Sequence, residues 1–389
     1  MKTLALWSCA IAVAAMLLVM TGYRSRDPDS ALYNTLSIEL ARQPPARWIA
    51  PEWGGAWNQQ GLFREHPVGI LLPSVLLIRA GFPADQASYA VNMLYQAAVI
   101  LLTPLVAGFV LERFEARSLA WLLQLLPVAF VYRIRGNQEH PLLMCFLAIL
   151  YGTHRARTQP AWLLVVVASF AFLVLVKGAF AVFALASATL WLLLIPVPAG
   201  GSNRWAWTGL VGAAAAAMLM MVAYEAYYVR TTGESFLDFY NSTRLGASIR
   251  LSDPQLLSRA VINLGFYLTR LLWFAAPWSL LALAAIAIWL RKNLSGASPP
   301  DLDVVTARAL TWAVLVTTVF VIVLSPALVR ADRFIFPVYF VIGAVGIVTA
   351  VKHFDGMRRL VTRTEPLTWL PVAVWMATFL LSLGSRVAR

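Results

Sequence analysis

Runs of about 20 almost wholly apolar residues recur along the whole length of this chain, and few folds accept them. A helix needs ~20 such residues to cross ~30 Å of hydrocarbon. Apolar residues make up 60% of the 389 and charged residues only 13%, against roughly 45–50% and 25% in soluble domains. A disordered chain would be poor in these residues. The two cysteines, Cys9 and Cys145, both lie inside apolar runs and are too few for a disulfide scaffold. The expected class is an all-α polytopic integral membrane protein.

About eleven transmembrane helices are expected, near 4–22, 87–111, 118–132, 140–153, 160–176, 178–195, 206–224, 259–290, 309–325, 334–350 and 366–384. The first reads as a retained span rather than a cleaved leader, because apolar character persists to Tyr23. Only Lys177-Gly178 interrupts the stretch around 160–195, which reads as two short spans or as one helical hairpin that dips and returns. Lys and Arg are denser in the short loops, which places those loops and the N-terminus in the cytoplasm. Two long segments, 23–86 and 225–258, then face outward, and the first carries interfacial helices. The chain reads as one transmembrane domain over 1–389, with no separate soluble C-terminal domain.

The formal charge is +13, from 31 Lys and Arg against 18 Asp and Glu. In a chain this apolar the excess points to lipid headgroups or phosphorylated substrates, with no nucleic acid among the partners. The polar residues collect at the outward face. Asp27 and Asp29 follow the first span, and Asp29 or Ser30 can cap a helix from Ala31 to Arg42 whose Leu32, Leu36 and Leu40 form one stripe. An aromatic loop, Arg47 to Trp57, suits the headgroup zone. Arg64-Glu65-His66-Pro67 precedes a short apolar helix from Val68 to Leu77, and Arg133 to Pro141 brings Arg135, Glu139 and His140 to the next span. Lys177 lies between two apolar runs, where an ionisable group usually faces a polar cavity or ligand. Arg330 and Arg333 flank Asp332 at the mouth of a late span, and Asp332 with Arg333 reads as an ion pair. Singly, each has a bland reading as a cap, a snorkelling side chain or a surface pair. Together they supply carboxylates for base chemistry and cations for a phosphate.

In order and spacing these residues resemble the membrane-embedded GT-C glycosyltransferases of the protein mannosyltransferase and lipid A aminoarabinose transferase kind. Asp27-Pro28-Asp29-Ser30-Ala31-Leu32-Tyr33 resembles the family's acidic first-loop motif, and Glu65-His66-Pro67 its Glu-Lys-Pro-Pro segment. Lys177-Gly178 resembles a Lys-Gly-Pro motif, Ala276-Pro277-Trp278 a Pro-Trp motif, and Arg330 to Pro337 an Arg-Tyr-Leu-Leu-Pro segment. The resemblance implies an inverting transferase in a bacterial-type inner membrane with an extracytoplasmic site. It would take a sugar from a polyprenyl-phosphate donor to a lipid, glycan or protein acceptor, among membrane lipids. Asp29 would be the catalytic aspartate, with Asp27 the fallback. Glu65, His66, Arg135, Lys177, Arg330 and Arg333 would bind substrate. No cofactor is required, while Glu139 and His140 with Asp29 could bridge a divalent metal. Departures are also plain: His66 replaces a lysine, and Ser30 a second acidic residue. A transporter or flippase of a lipid-linked sugar and a non-catalytic envelope-assembly protein are the alternatives.

Overall fold

A computed structural model of the chain describes residues 27–54, 59–245, 253–295 and 304–364. The expected first and last spans, 4–22 and 366–384, lie outside the described residues, as do 55–58 of the aromatic loop and 246–252 of the second long segment. Among the described residues the fold is all-α, with one isolated antiparallel bridge between Glu52 and Leu62.

The first long loop is a small helical body with its own core. Helix α1, Pro28–Arg42, starts one residue after Asp27, whose side chain accepts from the Ser30 N–H. Asp27 is therefore the cap expected at Asp29 or Ser30. Pro28 explains the shift, since its missing N–H and preset φ suit the first helical position. The stripe of Leu32, Leu36 and Leu40 is buried, as its spacing requires, against Phe63, Ile70, Leu71, Val75 and Val176. The short apolar helix after Pro67 forms as a 3-10 turn, Val68–Ile70, continuing into α2, Leu72–Arg79. Arg79 donates to the carbonyls of Ala41 and Gln43 at 3.0 and 2.6 Å, closing the last turn of α1.

The bundle begins with α3, Ala87–Ala107. Helices α4, Arg113–Leu122, and α5, Pro127–Arg133, follow in place of one straight span, with a 62° bend between them. Helix α6, Glu139–Ala156, is buried along most of its length. Residues Pro160–Leu194 are helical almost without interruption but fold back at Lys177–Gly178, giving α7, Leu163–Lys177, and α8, Ala181–Leu194. Both far ends lie beside the same end of α6. A Cβ on Gly152 would lie 2.9 Å from Val166, and Arg157 donates to the Leu192 and Pro196 carbonyls at 3.1 and 3.0 Å. The stretch therefore runs out and back as two short antiparallel helices. Arms of 15 and 14 residues reach only about 22 Å each. The reversal needs φ +57° at Gly178, and a Cβ there would strike the Tyr240 hydroxyl.

Helix α9, Asn203–Thr232, leads into the one-turn α10, Phe236–Tyr240. The span expected over 259–290 is instead two helices, α11, Leu256–Phe274, and α12, Trp278–Ser295, bent by 119°. Pro277 cannot donate to the helix ladder, and the Ser279 hydroxyl donates to the Leu272 carbonyl at 2.8 Å across the bend. Helices α13, Val304–Leu324, α14, Phe336–His353, and α15, Asp355–Thr364, complete the described chain. Among the described residues five stretches are long and apolar enough to cross a membrane, or seven counting each bent pair as one, with the folded-back Pro160–Leu194 counted as one of the five. Leu164, Val211, Leu219, Val261 and Trp273 are each more than 60% exposed, the surface of a protein whose solvent is lipid. In that solvent, association depends on close packing of small residues: α12 crosses α14 where Gly346 leaves no space for a Cβ beside the Trp278 backbone.

Candidate active site

Three segments far apart in sequence meet at the end of the bundle that carries the long loops. They are the start of α1, the turn between α5 and α6, and the 3-10 turn Asp332–Ile335 before α14. Ser30, fully buried, is the hub of the first two. Its hydroxyl lies 2.9 Å from an Asp27 carboxylate oxygen and 2.6 Å from the Asn137 amide, and accepts from the Gly136 N–H at 3.0 Å. Arg135 reaches Asp27 at 3.1 Å, and Arg333 pairs with Asp29. Asp332 is not the partner of Arg333 expected from the sequence. It accepts from its neighbour's backbone N–H at 2.9 Å and from the Tyr132 hydroxyl at 3.2 Å, which shapes the turn that aims Arg333 at Asp29. Asn263 fastens the same loop to α11 by donating to the carbonyls of Ser325 and Ala327, both at 2.8 Å.

Beneath this ring lie Lys177, Gln138 and Glu139. Lys177 donates to the Gln138 side-chain oxygen. Glu139 is only 3% exposed and lies in the electrostatic reach of Lys177, Asp27 and Arg135. One of its carboxylate oxygens is buried without a hydrogen-bond partner. The cluster thus opposes three carboxylates, Asp27, Asp29 and Glu139, to three cations, Arg135, Lys177 and Arg333. An arriving hydroxyl finds acceptors there, and an arriving phosphate finds donors.

Other expected residues stand apart. His66 is wedged edge-on between Tyr33 and Phe63, with ring centroids 5.3 and 5.0 Å away. Its two nitrogens meet the Pro67 carbonyl at 2.9 Å and the Tyr33 hydroxyl at 3.2 Å. Burial lowers its pKa to about 3, so it is neutral and braces the loop. Glu65, next to it in sequence, is half-buried. His140 is buried with its ring edge-on to Phe336 at 5.3 Å, and Asp29 is occupied by Arg333. The metal bridge expected from Glu139, His140 and Asp29 is therefore not assembled. Among the described residues no three His, Cys, Asp or Glu side chains converge as a ligand set.

Arg330 is exposed at the rim, its guanidinium 5.4 Å from the Phe266 ring centre. Arg270, which sequence reasoning passed over, packs against the same ring at 5.2 Å. The second long segment closes the opposite rim. Glu234 pairs with Arg64 at 2.6 Å, Arg64 stacks on Phe239 at 4.3 Å, and the Tyr240 hydroxyl accepts from the Ala179 N–H at 3.3 Å. Tyr132, Asn137 and Gln138 also entered no expectation, and Ser30 entered only as a possible cap and a departure from the motif. Neutral polar residues near a charge run carry no sequence signal for the partner they will hold.

No protein-family model matches the sequence, and no curated protein matches it. Solved structures do. ArnT from Cupriavidus metallidurans bound to undecaprenyl phosphate aligns at a TM-score of 0.58 and 15% identity, over 97% of this chain and 63% of that one. The archaeal oligosaccharyltransferase AglB from Archaeoglobus fulgidus, in complex with an inhibitory peptide and a dolichol-phosphate, aligns at 0.51 and 13%, over 98% and 56%. The chain spans less than two thirds of either relative's length. At such identities the likeness is one of architecture: this polytopic membrane protein has the fold of the GT-C membrane glycosyltransferases.

Proposed function

We propose that the chain is an inverting glycosyltransferase that moves a sugar from a polyprenyl-phosphate donor to a hydroxyl of a lipid, glycan or protein acceptor at the extracytoplasmic face. The observation that carries this reading is the Asp29–Arg333 pair, set beside Asp27–Arg135 and Glu139–Lys177 at one end of a GT-C fold. In the proposed reaction the acceptor oxygen attacks the anomeric carbon as the bond to the lipid phosphate breaks, and one displacement inverts that carbon. Asp29, held by Arg333, orients the acceptor hydroxyl and takes its proton as the new bond forms. The electron pair leaves with the phosphate. Arg333, Lys177 and the rim arginine Arg330 face the charge that develops there, the kind of term expected to dominate such a barrier. Glu139 lies within electrostatic reach of Lys177 under the ring. Glu65 and the second long segment border the space for the acceptor.

The test is lipid-linked sugar profiling of a strain lacking the protein. The expected result is an accumulated polyprenyl-phosphate sugar together with an underglycosylated product. Transbilayer movement of the lipid-linked sugar with no glycosidic product would overturn the reading in favour of a transporter. Transfer by the purified protein is expected to persist in the presence of chelators, since no residue in the proposed step needs a metal.

A further inference from the structure

The proposed reaction leaves one large feature of the bundle unused. A cavity of about 560 Å³ lies between α3, α6, α12, α13 and α14, within the ~300–1,000 Å³ range of ligand sites. It follows α14 from Pro337 to Phe354, about 25 Å at the helical rise, which is most of the ~30 Å hydrocarbon thickness. Its walls are almost wholly apolar and include Trp191, Trp289 and Trp312.

The two ends differ. Toward the active site the cavity wall is formed by Pro337 and Phe340, beside a packed aromatic layer. Phe336 is fully buried there, with Tyr132, His140 and Phe340 at ring-centre distances of 5.1, 5.3 and 5.2 Å. At the opposite end Lys352, His353 and Phe354 are exposed, and Lys352 donates to the Thr306 hydroxyl at 3.3 Å. Ile288, 54% exposed, forms part of the wall that opens to lipid. Helix α15 packs on α4 beside this mouth. Residues 112–117 and 352–359 hold five Lys and Arg (Arg113, Arg117, Lys352, Arg358, Arg359) against three acids (Glu112, Glu115, Asp355). The mouth is therefore cationic and the shaft apolar.

We propose that this cavity binds an anionic glycerophospholipid from the leaflet opposite the active site. One acyl chain runs up the shaft, and the phosphate sits among Lys352, His353 and Arg358. A polyprenyl phosphate taking part in the reaction would have to pass the Phe336 layer, so the donor is not the occupant. The inference does not depend on the proposed transfer activity.

The test uses the full chain, purified and delipidated in detergent, then offered phosphatidylglycerol or phosphatidylcholine of identical chains. Binding is read by native mass spectrometry, and by tryptophan quenching with chain-brominated forms of each lipid. Phosphatidylglycerol is expected to be retained about tenfold better, the size of effect that one or two interfacial cations produce. Lys352→Gln with Arg358→Gln should bring the two lipids level. Ala344→Phe, which fills the shaft, should abolish both binding and quenching. Ile288→Phe, on the lipid-exposed wall of the cavity, should also weaken retention without adding a tryptophan to the quenching signal, and serves if the Ala344 variant does not fold. Equal retention of both lipids by the wild-type chain would overturn the proposal, as would binding unchanged in the shaft variants. Displacement of phosphatidylglycerol by undecaprenyl phosphate would also overturn it.

Discussion

Arg333 pairs with Asp29 at the other end of the described chain, while its own neighbour Asp332 is held by Tyr132. The pair brings the turn before α14 onto the start of α1, and so puts the first long loop and the 326–333 loop at the same end of the bundle. A planar guanidinium presents its donors in a fixed geometry, whereas an ammonium is a point charge.

Asp29→Asn is therefore expected to lower transfer from a labelled polyprenyl-phosphate sugar in proteoliposomes by about 10²–10⁴-fold. Arg333→Gln should fall in the same range. Arg333→Lys should retain partial activity, because it keeps the charge and loses only the geometry. Near wild-type transfer by Asp29→Asn would remove this residue from the mechanism.

Ser30→Ala removes one partner each from part-buried Asp27 and from buried Asn137 and the Gly136 N–H. Unmade buried hydrogen bonds cost about 1–3 kcal/mol, so thermal unfolding in detergent should shift clearly downward. An unchanged midpoint would mean that the hub bears no load.

Lys177 and Glu139 are expected to be coupled. Lys177→Met alone leaves a carboxylate buried without its cation, and Glu139→Gln alone leaves the cation without its carboxylate. The double variant should be more stable than the sum of the two losses predicts, by about 0.5–3 kcal/mol in a thermodynamic cycle. Strict additivity would separate the two residues.

Burial holds the His66 pKa at about 3, against 6.5 for the free side chain. Between those values the unfolded chain binds the proton and the folded chain does not, so stability rises with pH across that window and levels off above it. Unfolding midpoints measured from pH 4 to 8 should show His66→Gln with a shallower acid slope than wild type. Activity between pH 7 and 8 should carry no His66 titration.

The class of protein was legible without coordinates, because hydropathy is a property of consecutive residues and the bilayer imposes a fixed length on it. The polar segments were legible for the same reason: Asp27 to Ser30, Arg133 to His140, Lys177 and Arg330 to Arg333 all interrupt or border apolar runs. Tertiary structure decided everything that depends on partners distant in sequence. It turned Arg333 from Asp332 to Asp29, made Asp27 the helix cap, enclosed His66 between two rings, and gave Ser30 its place at the hub. It also folded Pro160–Leu194 back on itself and bent the 259–290 run by 119°. A buried helix and a lipid-facing one are equally apolar, so composition cannot say where such a run turns. Charged side chains likewise have no periodic signature, and a carboxylate's partner is whichever cation the packed helices bring within reach.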